Sequence, residues 1–284
     1  MGSVLTLNKH NFNVIITVSV VLHKTPPALI KSVIDTLRKE SVSRIFIVDN
    51  SPDDSLRHQI PGDENIEYSH VENKGYGNAH NHAIRKAETM GSRYHLVLNP
   101  DVRWDGAILD TLTQVMEQRG DCGLVQPKIC NPDKTLQHTC RLLPSPADVI
   151  FKRFLPAGWI KKRMNRYLLP DSAYETEFNS VYMQGSFMLF RMDALNATGL
   201  FDERFFMYPE DIDITRRIRK RYAALYYPRI SITHDHAASS QKFGKMMWIH
   251  IVNMIKYFNK WGWIFDAERK KLNRQLLKEI GFVG

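Results

Sequence analysis

Four short apolar runs alternate with helix-like stretches in the first half of the chain, and three of them have Asp or Asn within the next few residues. Val14–Leu22 (VIITVSVVL), Arg44–Val48 (RIFIV), Ile66–Val71 and Tyr94–Leu98 (YHLVL) read as strands. The β-branched and apolar runs among them suit strands buried on both faces. Pro26 and Pro27 open a helix running to about Lys39, Asn78–Met90 reads as a second helix and Asp105–Gln118 as a third. Such alternation implies an α/β fold with a parallel sheet and right-handed crossovers. In open sheets of this kind the ligand crevice lies at the carboxyl ends of the strands, where Asp49, Asn73 and Asp101 fall. Asp and Asn also favour turns and helix caps, which accounts equally well for any one of them alone.

The chain of 284 residues is long enough for one large domain or two small ones. Its composition, 43% hydrophobic and 24% charged, excludes global disorder and a disulfide scaffold. The net charge of +9 points to an anionic partner: nucleic acid, anionic lipid or a phosphorylated small molecule. Cys122, Cys130 and Cys140 form no C-x-x-C pair, and an odd count fits a reducing compartment. Apolar runs of about 18 residues are absent, as is a secretory apolar region near the first residue. MGSVLT matches only the loose myristoylation pattern, which is too short to carry weight. The expected location is cytoplasmic, associated with the inner face of the cell membrane.

The second half is less regular. Val181–Arg191 reads as one or two strands around Gly185, and Pro209–Lys220 as a helix with Glu210, Asp211 and Asp213 at its positive end. Ala223–Tyr227 and Arg229–Thr233 read as short strands, with Lys245–Asn259 and Asp266–Glu279 as closing helices. Capping explains one carboxylate at a helix start well and three less well; a metal or an acceptor hydroxyl would offset their repulsion. Asp101 after a buried strand could hold a hard cation shared with phosphates. His234-Asp235-His236 offers imidazole ligands. The Asn73–Ala79 loop (NKGYGNA) permits close backbone approach to a ligand but lacks the G-x-G-x-x-G fingerprint, and no phosphate-binding G-x-x-x-x-G-K occurs. A Rossmann dehydrogenase and a P-loop NTPase are therefore disfavoured.

In order along the chain, VSVVLHK, IVDNSPDDS, NKGYGNAHNHAI, LNPDV, GSFMLFRMDAL, GLFDERFFMYPEDIDITRRIRK and ITHDHAASS resemble the family-2 glycosyltransferases of the GT-A fold. The resemblance runs from about Val14 to Ser240. LNPDV and the tail YFNKWGWIF look most like bacterial rhamnosyltransferases of O-antigen and cell-wall polysaccharide synthesis.

The resemblance implies a Rossmann-like, mostly parallel sheet flanked by helices, with residues 1–240 as the GT-A domain. Its nucleotide-sugar half would span about 12–128 and its acceptor half 129–240, leaving 241–284 as a C-terminal helical extension. It places Asp49 and Asn50 at the base or ribose, and Asn73, Gly75 and Asn81 along the nucleotide site. Asp101 matches the last position of the metal-binding Asp-x-Asp motif. Asn99 stands where that motif has its first acid, which weakens the expected metal dependence. Asp211 matches the catalytic base, with Glu210 beside it; His234 matches the histidine completing the metal site; Gly185 and Ser186 begin the acceptor-side strand. The implied reaction is inverting transfer of L-rhamnose from dTDP-L-rhamnose, with Mg²⁺ or Mn²⁺, onto a lipid-linked or glycan acceptor. A UDP-hexose donor is the alternative. A basic nucleic-acid-binding protein is a weaker one, having no nucleic-acid motif behind it, and a nucleotidyltransferase lacks the basic Gly-rich loop it would need after the first strand.

Lys245–Lys260 carries a narrow polar stripe on an otherwise apolar helix, and Trp261, Trp263 and Phe265 follow. Such a face suits core packing, a homodimer contact or an anionic membrane surface. The basic, aromatic Phe151–Leu169 segment favours the membrane.

Overall fold

A computed structural model describes residues 14–149, 157–235 and 244–282. Its centre is a nine-stranded sheet in the order β3-β2-β1-β4-β8-β6-β9-β5, with β7 also pairing β9. The strands are β1 (Ile16–Leu22), β2 (Arg44–Asp49), β3 (Ile66–His70), β4 (Tyr94–Leu98), β5 (Val102–Arg103), β6 (Cys122–Cys130), β7 (Phe178–Asn179), β8 (Phe187–Arg191) and β9 (Ala223–His234). The helices are α1 (Pro27–Leu37), α2 (Tyr76–Thr89), α3 (Leu109–Gln118), α4 (Ala157–Leu168), α5 (Met192–Thr198), α6 (Pro209–Ile218), α7 (Lys245–Trp261) and α8 (Ala267–Glu279). The first four strands run parallel. β8 enters antiparallel between β4 and β6, and β9 again runs parallel to β6.

The sheet is covered on both faces, as its apolar strands require. Val18, Val20 and Leu22 of β1 pack with α1 and α3 in one layer. Val21, Phe190 and Tyr226 pack in the other with residues of α2, α5, α6, α7 and α8. Thr17 and Ser19 face the second layer but are polar, and each finds a buried partner. Thr17 lies 2.8 Å from His95 Nδ1, His95 Nε2 lies 2.8 Å from Ser19, and Ser19 lies 2.7 Å from His80 Nδ1. Burial holds both imidazoles well below the usual histidine range, so this chain is neutral.

Several boundaries move for local reasons. α3 begins at Leu109 rather than Asp105 because Glu40, distant in sequence, accepts from the Ile108 and Leu109 amides and from Trp104 Nε1. The last two short strands are one strand, β9. Pro228 has no amide to donate, and the pairing with β6 skips from Tyr227 to Ser231 there. Only Phe187–Arg191 of the stretch around Gly185 is strand. β6 and α5 carried no clear periodic signal.

α7 and α8 are integral to the second layer: Met254, Tyr257, Phe258, Leu272 and Leu276 are buried in it. On α7, Trp248, Val252 and Ile255 remain exposed. Among the described residues no helix is long and apolar enough to cross a membrane.

Candidate active site

α6 begins abruptly. Tyr208 sits at φ +90°, a left-handed conformation that costs a bulky residue about 1–3 kcal/mol. Pro209 follows as the first helical residue, and Glu210 and Asp211 occupy the first turn, where the helix dipole favours negative charge. The Asp211 carboxylate accepts from the Gly185 amide at 3.1 Å and the Ile212 amide at 2.7 Å. Burial nevertheless pushes it up to about 7, against the lowering effect of those two amides and of Arg141. Burial and the neighbouring Asp211 push Glu210 well above its ordinary value. Asp213 has a different task. It pairs with Arg217 at 2.8 Å and Lys260 at 2.6 Å and accepts from Trp261 Nε1. Two of the three carboxylates thus face the site and the third fastens α7.

Glu210 and Asp211 line a cavity of about 640 Å³ together with Asn99, Gly185 and Ser186, which three separate segments bring together. The Tyr76 hydroxyl lies 2.9 Å from the Asn99 amide oxygen and 2.7 Å from the Gly185 carbonyl. Arg141, half-buried in the same cavity, donates to the His138 carbonyl and lies over the Tyr182 ring. Among the described residues no carboxylate forms an ion pair with it. Met207, Met246 and Met254 give the cavity an apolar wall. Sequence reading missed Tyr76, Arg141 and Tyr182: nothing local to any of them tells which distant segments gather around it.

Asp101 and His234 meet where β5 pairs with the end of β9. Gln137 Nε2 donates to the His234 carbonyl and to Asn131, which leaves Gln137 Oε1 to accept from His234 Nδ1 at 2.9 Å. His234 Nε2 lies 3.3 Å from Asp101 Oδ1, which is buried and accepts no hydrogen bond among the described residues. An imidazole and a carboxylate side by side are ligand types that a divalent cation takes. Among the described residues no third His, Cys, Asp or Glu joins them, so further ligands would come from substrate oxygens or water. His236 lies outside the described residues.

The remaining expected residues divide. Asp49, Asn50, Asn73 and Gly75 cluster at the ends of β2 and β3. Asp49 accepts from Tyr68 Oη at 2.8 Å and the Ser51 amide at 2.9 Å, while Asn50 donates to Asn73. Gly75 is at φ +109°, and a Cβ there would lie 2.4 Å from the Phe206 carbonyl oxygen. Asn81 is placed elsewhere: its amide is fully used on the Phe201 backbone and Glu203, tying α2 to the loop before α6.

Comparison with known proteins gives this arrangement its class. The structure of GalNAc-T7 with UDP, GalNAc and Mn²⁺ superposes with a TM-score of 0.65 at 13% identity, covering 91% of this chain and 49% of that one. The decaprenol relative, N-acetylglucosaminyl-diphospho-decaprenol L-rhamnosyltransferase of Mycobacterium tuberculosis, is 28% identical over 177 residues, 59% of this chain and 58% of its own length. Rhamnosyltransferase WbbL of Escherichia coli is 25% identical over 236 residues, 80% of this chain and 87% of the relative. The chain thus spans under three-fifths of the mycobacterial relative it matches. Its fold has the GT-A architecture. The family model for glycosyl transferase family 2 matches residues 15–199, and the chain belongs to that family.

Proposed function

We propose that this chain is an inverting rhamnosyltransferase that uses dTDP-L-rhamnose and a lipid-linked or glycan acceptor in bacterial surface polysaccharide synthesis. The observation that carries the reading is Asp211, an elevated carboxylate held by two amides at the floor of the cavity. The two rhamnosyltransferase relatives support the sugar.

In this reading the acceptor hydroxyl lies against Asp211. Its oxygen attacks the anomeric carbon, the bond from that carbon to the diphosphate oxygen breaks, and Asp211 takes the hydroxyl proton. A single displacement inverts the anomeric centre. Asp101 and His234 would hold the divalent cation, Mg²⁺ or Mn²⁺, which when bound neutralises charge on the leaving diphosphate. Asp49, Asn50, Asn73 and Gly75 would line the nucleotide. Gly185 and Ser186 lie on the acceptor side.

Arg141 and the methionine wall favour an acceptor that is anionic at one end and apolar at the other. α4 and α7 both border the cavity, and they expose Trp159 with Lys161, Lys162 and Arg166, and Trp248 with Val252, respectively. That combination supports contact with an anionic membrane surface, and the protein should float with anionic vesicles at low salt and be released by high salt. Failure to float at low salt would remove the membrane from the reading.

The donor is tested by thermal denaturation with dTDP, UDP, GDP and CMP, each with Mn²⁺ and with EDTA. A ligand at about 100 times its dissociation constant stabilises the native state by roughly 2.7 kcal/mol. The expected result is a shift largest for dTDP and reduced by EDTA. A larger shift for UDP would retain the transferase and replace rhamnose by a hexose.

A further inference from the structure

The phenol of Tyr76 lies between two groups, the Asn99 side-chain amide at 2.9 Å and the Gly185 carbonyl at 2.7 Å. It has one proton. The Gly185 carbonyl can only accept, so the proton belongs there. Asn99 must then offer its NH₂ to the phenol oxygen, since the two ends of an amide have the same shape and the hydrogen-bond network decides between them. That turn carries the amide oxygen to the opposite position. There it makes no hydrogen bond with a described residue, it is not sealed off from solvent, and Asn99 lines the cavity.

We propose that Tyr76 is a positioning residue: it fixes the Asn99 amide with its oxygen toward the reaction cavity, where that oxygen accepts from a hydroxyl of the transferred sugar. The inference rests on the glycosyltransferase reading of this cavity and adds a determinant of sugar recognition to it. Tyr76 is rigidly placed for this role. Its amide donates to the Phe206 carbonyl at 2.9 Å, its ring packs edge-on against His80 at 4.4 Å, and His80 is held by Ser19. Burial, with Glu210, Asp211 and Asp101 nearby, keeps the phenol protonated. The same geometry explains an amide at position 99. A carboxylate would have no proton to give Tyr76 and would add charge beside Glu210 and Asp211, whereas the amide satisfies the phenol and still presents a neutral acceptor.

The test is calorimetric binding of dTDP-L-rhamnose against dTDP, and of UDP-glucose against UDP, to the wild type, Tyr76→Phe, Asn99→Ala and the double variant, all with Mn²⁺. It is read on the pair in which the wild type binds the nucleotide sugar more tightly than the diphosphate alone. Tyr76→Phe should weaken that nucleotide sugar about tenfold, the size of one hydrogen bond to a sugar hydroxyl, and the free diphosphate less than twofold. On the Asn99→Ala background the same substitution should have no further effect, because there is no amide left to orient. Equal losses for sugar and diphosphate, or an undiminished loss in the double variant, would overturn the proposal and assign the phenol to Gly185 alone. If Tyr76→Phe melts far below the wild type, Asn99→Ala carries the test, with the same selective loss expected for the nucleotide sugar and an equal loss for sugar and diphosphate overturning it. Absence of any nucleotide binding by the wild type would instead fail the underlying reading.

Discussion

Asp211→Asn should lower transfer by about a thousandfold, within the roughly 10²–10⁴-fold contribution of a positioned general base, and leave nucleotide affinity within about twofold of wild type. The asparagine is close in shape, so the cavity keeps its form. It has one oxygen where the carboxylate has two, so either the Gly185 or the Ile212 amide loses its acceptor. That loss costs about 1 kcal/mol, and removal of a buried charge offsets it, so the variant should fold normally. Steady-state transfer and calorimetry of the nucleotide separate the two effects. A variant that loses nucleotide binding together with transfer would show that Asp211 holds the donor rather than the acceptor hydroxyl.

The same residue sets the pH profile. Its folded value is raised, so it carries a proton at mildly acidic pH and cannot accept another. Activity should therefore fall as pH drops below about 7, with an apparent midpoint belonging to the Glu210–Asp211 pair rather than to one of them. For stability the sign is opposite: between the ordinary carboxylate range and about 7 the native state binds the extra proton, so this group opposes folding increasingly as pH rises through that window. An acid limb at the ordinary carboxylate value would exclude Asp211 as the titrating base.

What could be read from the sequence was what local pattern controls. β1, β2 and β4 are long enough and apolar enough to announce themselves, and Pro209 with three acids marks the start of α6. The Asp-x-Asp-like turn and the acidic helix were legible as candidates because carboxylates at such places call for an explanation. β6 was not legible, since Gln126, Pro127 and Lys128 interrupt its apolar run; tertiary pairing with β8 and β9 makes it a strand. The start of α3 was hidden because its cap, Glu40, stands 68 residues earlier in the chain. Asn81 lies in the quoted NKGYGNAHNHAI motif, yet the folded chain spends its amide on the Phe201 loop. Asp213 looked equivalent to Asp211 in sequence, and only the fold gives it Arg217, Lys260 and Trp261 as partners. Tyr76 was invisible for the reason that makes it useful: it joins segments far apart in the chain.

Arg216→Ala should destabilise the protein by about 3–5 kcal/mol, because it leaves a buried carboxylate without its cation. Arg216 projects from α6 into the interior, 1% exposed, and both of its terminal nitrogens reach Asp266, at 2.7 and 2.6 Å. Its Nε reaches Glu268 at 3.0 Å, and the Trp261 ring lies 4.0 Å from the guanidinium carbon. Asp266 also caps α8 by accepting from the Arg269 amide. Burial alone would raise Asp266; the hydrogen bonds from Arg216 and the Arg269 amide outweigh it and hold the group below its ordinary value. A depressed carboxylate contributes stability that is present above its unfolded value and lost as pH falls through its folded one. The variant should therefore melt roughly 10 °C lower near neutral pH, at about 2–4 °C per kcal/mol for a chain of this size. It should also lose less on acidification than the wild type. Asp266→Asn, which keeps a hydrogen-bonding cap, should cost less than Arg216→Ala. The link matters for catalysis because α6 carries Asp211 at one end and Arg216 one turn further on, so the C-terminal helices brace the helix that presents the proposed base. A melting temperature within about 2 °C of wild type would mean that water reaches Asp266 and that α8 is not a firm support for the site.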